Sequence, residues 1–339
     1  MQVLLKSRFF WIGLVWLAVS SAGCPGEEGP EPEPAPEGVV WEEAFDTTGA
    51  GSMSGVWGSA PDDVFVVGGD EARGVVFHFD GAAWTPMEIP EVPLLVWVFG
   101  FGPSDVYAVG VGGGAIHYDG EAWSRLETGT ETDLWGVFGF APDDIWVVGG
   151  DVFEGEPVLL HFDGQGFEPV ALAPEQNPQG VSAIFKVFGI DGRLFAVGQR
   201  GLILELVGGQ WTRQGAGAEA NEDFVSLWGT SQDNIVAVGG RSNARIARFD
   251  GQTWRTLAPS GLGGLNAVFM TKEDEAVIGG VFGFGGVFAL GDEVVTSEDT
   301  TAALDLHAIW GDGAGRFYAV GGNFRPPFKG VALVRRPGP

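Results

Sequence analysis

Three of the four histidines occupy one position of a repeating unit: His78, His117 and His161 stand two residues before Asp80, Asp119 and Asp163. The same slot holds Glu205 and Arg248 further along. Imidazole and carboxylate both ligate zinc, but zinc needs its ligands within about 2.0–2.3 Å of one ion. Each slot falls in the third strand of its own unit, away from the centre, so its occupants are too far apart to share a metal. They read as strand histidines satisfied by local hydrogen bonds, and His307 stands alone in a first strand. The acidic pairs Asp62-Asp63, Ser104-Asp105, Asp143-Asp144 and Asp233-Asn234 offer calcium two carboxylates at most, where it takes about six to eight oxygens. They read as turns. Gly112-Gly113-Gly114 and residues 279–286 lack the following Lys-Ser/Thr and helix of a phosphate cradle, and read as flexible loops between strands. No Gly-x-Ser-x-Gly nucleophile elbow occurs. Among 45 acids no pair is singled out for glycoside hydrolysis. The residues therefore assign no catalytic group, no metal site and no cofactor. A bound divalent cation is the one such ligand that the acidity suits.

What positions these residues is a repeat. An aromatic residue followed by glycine recurs about every forty residues at Trp57, Phe99, Phe138, Phe188, Trp228 and Trp310, with Phe269-Met270 the single departure. A second strand follows each time: VFVVG (64–68), VYAVG (106–110), IWVVG (145–149), LFAVG (194–198), IVAVG (235–239), EAVIG (275–279) and FYAVG (317–321). Consecutive apolar positions without alternation mean a strand buried on both faces. Asp80-Gly81, Asp119-Gly120, Asp163-Gly164 and Asp250-Gly251 mark hairpins between third and fourth strands. Four short strands per unit, each sheet covered by its neighbours, predict an all-β, seven-bladed β-propeller of four-stranded antiparallel blades over residues 39–336. The last unit lacks a fourth strand, and residues 39–47 supply one, with Trp41 matching Trp254. The N-terminal strand is thus expected to complete blade seven and close the ring, removing exposed edges. The seven periodic aromatics read as inter-blade core rather than as a sugar-binding surface.

The net charge of −27 comes from 18 basic and 45 acidic residues. With no basic stripe to displace phosphate counterions, nucleic acid is excluded as a partner. Residues 1–23 have a signal-peptide layout: Lys6 and Arg8, an apolar run over residues 9–19, then Ser21-Ala22-Gly23 before Cys24, the only cysteine. The run is short of the ~20 residues that span a bilayer. Residues 24–38 alternate Pro and Glu, a composition that disfavours helix and strand and reads as an extended tether. At ~3.1 Å per residue, such a tether reaches about 40 Å.

Small residues ending in Cys24 resemble the bacterial lipobox, although Ser21 stands where leucine is usual. The resemblance implies lipid attachment at Cys24 and a chain held to a membrane, at the outer membrane or cell surface of a bacterium. The Gly68-Gly69, Phe79-Asp80 and Trp84 pattern resembles a degenerate kelch repeat, and Asp-Gly-x-x-Trp resembles the Asp-box. The absence of Trp-Asp and Gly-His dipeptides separates the chain from WD40 repeats. As a whole it resembles bacterial repeat lipoproteins, a group that implies no particular activity.

A four-stranded meander puts the second-to-third loops and the blade-to-blade links on one face, and its tight hairpins on the other. The loop face varies between repeats, and variable loops on a rigid scaffold carry binding. Its candidates are Asp70, Glu71, Asp133, Asp151, Glu154, Glu175, Glu222 and Asp223, with Arg241 and Arg325 as a basic sector. The expected function is a monomeric, membrane-anchored binding module for a protein or glycan partner. Two alternatives are a carbohydrate-active hydrolase or lyase with an acidic site in the axial channel, and a structural envelope component.

Overall fold

The computed structural model describes residues 33–34 and 38–337. The signal segment, Cys24 and most of the tether lie outside them. The described chain forms seven four-stranded antiparallel blades around an axis. Blade 1 illustrates the unit: Ser52–Ala60 innermost, then Asp63–Gly69, Gly74–Phe79 and the short outer Trp84–Pro86. Blade 7 is completed as the repeats predict. Val39–Glu43 pairs antiparallel with Lys329–Pro337, Val39 opposite Pro337 and Glu43 opposite Leu333. Trp41 is 5% exposed, matching Trp254 at 5%.

The second strands are the most deeply buried, because each is sandwiched between neighbouring blades. Val64, Phe65, Val66 and Val67 are all fully buried. The aromatic–glycine step has a steric cause. A Cβ on Gly100 would stand 2.7 Å from the ring of Trp57, and one on Gly58 would stand 2.8 Å from that of Trp310. Phe138 meets Gly189 in the same way, at 2.6 Å, so at these seams one blade's aromatic lies over the next blade's glycine, and the step is core, as its periodicity implies. At Phe269-Met270 the packing differs: Trp228 stacks flat on Phe269 at 4.3 Å, and Met270 turns into the core.

Two expectations need correction. Glu33–Pro34, within the tether, pairs in parallel with the outer strand Val294–Glu298 of blade 6. A proline is tolerated there because an edge strand has a side that needs no N–H. The two glycine-rich loops contain tight 3₁₀ turns rather than loose connections, Val111–Gly113 in blade 2 and Val281–Gly283 in blade 6, and Gln199–Gly201 in blade 4 forms the same turn. Each is latched to the next blade by a carboxylate. Asp133 accepts from Gly112 N, Asp223 from Arg200 N and Asp305 from Phe282 N, at 2.8–2.9 Å.

Candidate functional site

The histidine slot and the acidic turn are one structure. His78 Nε2 donates to Asp63 Oδ1 at 2.7 Å, His117 to Asp105 at 2.7 Å and His161 to Asp144 at 2.8 Å. Each imidazole also lies on the second-strand aromatic, with Tyr107–His117 and Trp146–His161 stacked at 4.3 Å. In blade 4 the charges are exchanged, Arg193 pairing with Glu205 at 2.7 Å. These are cross-strand pins, repeated where the ladder needs a polar pair. Among the described residues no group of three or more His, Cys, Asp and Glu is arranged to hold a metal.

The loop-face candidates do not converge. Asp70 caps its own turn, accepting from Ala72 N and Arg73 N. Glu71, Glu154 and Glu175 are exposed in separate loops, and Glu222 and Arg325 are partly buried in two more. The structure does join Arg241 to Asp223, at 2.8 Å, so that Asp223 serves both a latch and an ion pair. It also brings Asp133 close enough to Asp151 for the two carboxylates to repel. Burial is the larger cause raising the Asp133 pKa; this repulsion adds to it, against the lowering by Gly112 N–H.

What does converge is a ring that the repeat reading passed over. Every inner strand carries a bulge at the same level, four to two residues before the periodic aromatic. The bulged residues are Ser54, Val96, Trp135, Phe185, Val225, Asn266 and His307. Bulges re-aim side chains, and these surround the loop-face mouth of the axis. Trp135 and Phe185 meet edge to face at 6.0 Å across two blades. Phe324 of blade 7 stacks on His307 at 4.4 Å and packs against the cluster of Leu94, Val96 and Val111 in blade 2, as does Trp135 of blade 3. That contact skips blade 1, so it crosses the mouth. His307 Nε2 donates to Gly322 O at 2.9 Å, and burial holds its pKa below the usual imidazole value. The signal was present in the sequence: this column reads Ser, Val, Trp, Phe, Val, Asn, His inside an otherwise uniform strand.

Below the mouth the axis is shut. The next ring inward is small at Gly55, Gly136, Ser226, Ala267 and Ala308, but holds Trp97 and Lys186. Lys186 Nζ lies 2.9 Å from the centroid of the Trp97 ring. Desolvation pushes its pKa well below the usual lysine value, and no carboxylate pairs with it among the described residues. The aromatic collar of Trp57, Phe99, Phe138, Phe188, Trp228, Phe269 and Trp310 follows, leaving an axial void of about 20 Å³. Among the described residues no carboxylate lines it. On the loop face, between second and third strands, Phe282 is held at φ 56° and is 77% exposed, and Phe153 is 61% exposed.

No protein-family model and no curated protein matches the chain. Solved structures do. The chain is similar to YCF48 bound to a D1 peptide, with a TM-score of 0.66 at 13% identity over 90% of this chain and 99% of that one. It is similar to virginiamycin B lyase from Staphylococcus aureus, with a TM-score of 0.70 at 13% identity over 87% and 99%. The C-terminal WD40 domain of Sif2 superposes with a TM-score of 0.62 at 10% identity over 88% and 99%. At such identities the likeness shows the propeller fold alone.

Proposed function

We propose that this protein is a lipid-anchored, extracytoplasmic interaction module that binds a protein segment at the loop-face mouth of its ring. The observation that carries this reading is the apolar cluster of Val96, Trp135, Phe185 and Phe324 on the bulged ring, above the Trp97–Lys186 plug. Clustered aromatic side chains are the composition of binding hot spots. The strained, exposed Phe282 supports it, since a non-glycine residue at positive φ costs stability unless it serves something. A segment carrying lysine or arginine beside an apolar residue would complement the Asp133–Asp151 pair at the rim. YCF48, a protein of similar fold, has a solved structure bound to a D1 peptide, which is in keeping with this reading.

The hydrolase or lyase alternative needs an axial pocket with carboxylates, whereas ligand sites occupy about 300–1,000 Å³ and the axial void is about 20 Å³. Val39 starts beside Pro337, at the hairpin side of blade 7, opposite the loop face assigned to the partner.

The test is capture from envelope extracts with the mature protein, with Phe282→Gly plus Phe324→Ser, and with Ala122→Glu on the hairpin face. The expected result is one partner band that the loop-face variant loses and the hairpin-face variant keeps. Equal capture by all three, or no specific partner, refutes the reading. Mass spectrometry of the native N-terminus checks the anchor: a mature start other than acylated Cys24 removes it.

A further inference from the structure

At most seams the blades close on one aromatic pattern. A second-strand ring of one blade packs against the outer tryptophan of the next: Phe65 with Trp123 at 6.3 Å, Trp146 with Trp211 at 5.4 Å, Phe195 with Trp254 at 5.8 Å. Those tryptophans are 6%, 3% and 5% exposed. The seam between blades 7 and 1 uses the same partners, Tyr318 and Trp84 at 5.5 Å. Here, however, Trp84 remains partly exposed and a cleft of about 400 Å³ opens in front of it. Ala82 and Ala83 line it from the hairpin of blade 1, and Arg316 and Arg336 from blade 7. It therefore opens on the hairpin face, away from the loop-face mouth.

The walls differ in chemistry. One is aromatic: Phe45, on the link after the closing strand, stacks on Trp84 at 4.6 Å, with Phe79 at 5.3 Å from Trp84. The other is a pair of guanidinium groups already neutralised. Arg316 Nε donates to Asp312 Oδ2 at 2.9 Å and Nη1 to the Tyr318 hydroxyl at 3.3 Å. Arg336 Nε pairs with Glu42 at 3.1 Å. Nη2 of Arg316 and both Nη groups of Arg336 have no partner among the described residues, so donors remain without a net local charge.

We propose that this seam cleft binds a neutral saccharide ring. The aromatic wall suits the C–H face of a sugar, and planar guanidinium donors suit its hydroxyls. The volume falls within the ~300–1,000 Å³ of small-ligand sites. A net charge of −27 opposes an anionic sugar, and Asp312 and Glu42, already paired with the two arginines, leave no local excess of negative charge to attract a cationic one.

The experiment is isothermal titration of the full chain with maltotetraose, cellotetraose and tetra-N-acetylchitotetraose. Oligogalacturonate and oligochitosan serve as the charged comparators. At least one neutral oligosaccharide is expected to bind in the millimolar range or tighter, ahead of both comparators. Ala83 is exposed, so Ala83→Trp fills the cleft without entering the core. It is expected to weaken binding by about tenfold or more at an unchanged melting temperature. Arg336→Gln, which removes donors without changing the cleft's shape, is expected to weaken it several-fold. The proposal is overturned if none of the three neutral oligosaccharides binds, if a charged comparator binds better, or if both variants bind as the wild type does.

Discussion

Lys186 is the costliest single residue in the ring. A lysine in apolar surroundings gives up hydration, and the Trp97 face returns only about 0.5–2 kcal/mol. Its pKa is depressed in the folded state by burial. Below the ordinary lysine value the unfolded chain therefore binds a proton that the folded chain does not. By linkage, stability falls as the pH drops from above the usual lysine pKa toward the depressed one. Lys186→Met should raise stability at neutral pH by roughly 1–4 kcal/mol, since a well-packed apolar side chain replaces a buried unpaired amine. It should also flatten the alkaline limb of stability against pH; urea titrations between neutral and alkaline pH check both. Gly100 is the opposite case. A methyl group there meets the Trp57 ring at 2.7 Å and Asp105 O at 2.8 Å, so Gly100→Ala should cost about 1–3 kcal/mol of overpacking strain, read as a lower melting temperature. At Phe282, held at φ 56°, Phe282→Gly should leave stability equal or higher while weakening partner capture. A fall in both would mean that the ring is structural.

At the scale of elements, the closing strand is held by more than its ladder. Glu298, on the outer strand of blade 6, accepts from Trp41 Nε1 at 2.8 Å. It also accepts from Arg335 Nε at 2.7 Å and Arg335 Nη2 at 2.5 Å. The carboxylate side chain is 2% exposed and that of Arg335 15%. One buried acid thus ties blade 6 to both outer strands of blade 7. Glu298→Ala strands a largely buried guanidinium and an indole N–H, and should cost about 3–5 kcal/mol. Hydrogen exchange should accelerate first in Val39–Glu43; uniform acceleration around the ring would count against a local latch. The three Asp–turn latches act similarly between blades 2 and 3, 4 and 5, and 6 and 7. Asp133 and Asp223 therefore have structural work whether or not a partner also reaches them.

For the whole molecule, closure decides cooperativity. Removing residues 39–47 takes away Trp41 and the outer strand of blade 7 and exposes an edge. The expected result is a lower melting temperature with concentration-dependent association, seen by calorimetry and light scattering; an unchanged transition would contradict closure by this strand.

Blade number, strand order, closure and the division into hairpin and loop faces were legible in the chain, because each rests on local periodicity repeated seven times. The aromatic–glycine step, the Asp-Gly hairpins and the apolar second strands name themselves through sheer recurrence. The candidate site was much less legible. The repeats invite reading His78 and Asp63 as separate motifs, although their joint exchange for Glu205 and Arg193 in blade 4 is a trace of their pairing. The loop acids stood out by charge, yet charge alone does not show which carboxylates the backbone will use. A parallel strand at Glu33–Pro34 could not be read from alternating Pro and Glu, because the pairing depends on a distant edge. Bulge direction, the plug of the axis and the open seam depend on how seven similar blades meet. A repeat determines the shape of a blade through short-range pattern. Only closure into a ring decides which of its side chains face each other across the axis, and which seam stays open.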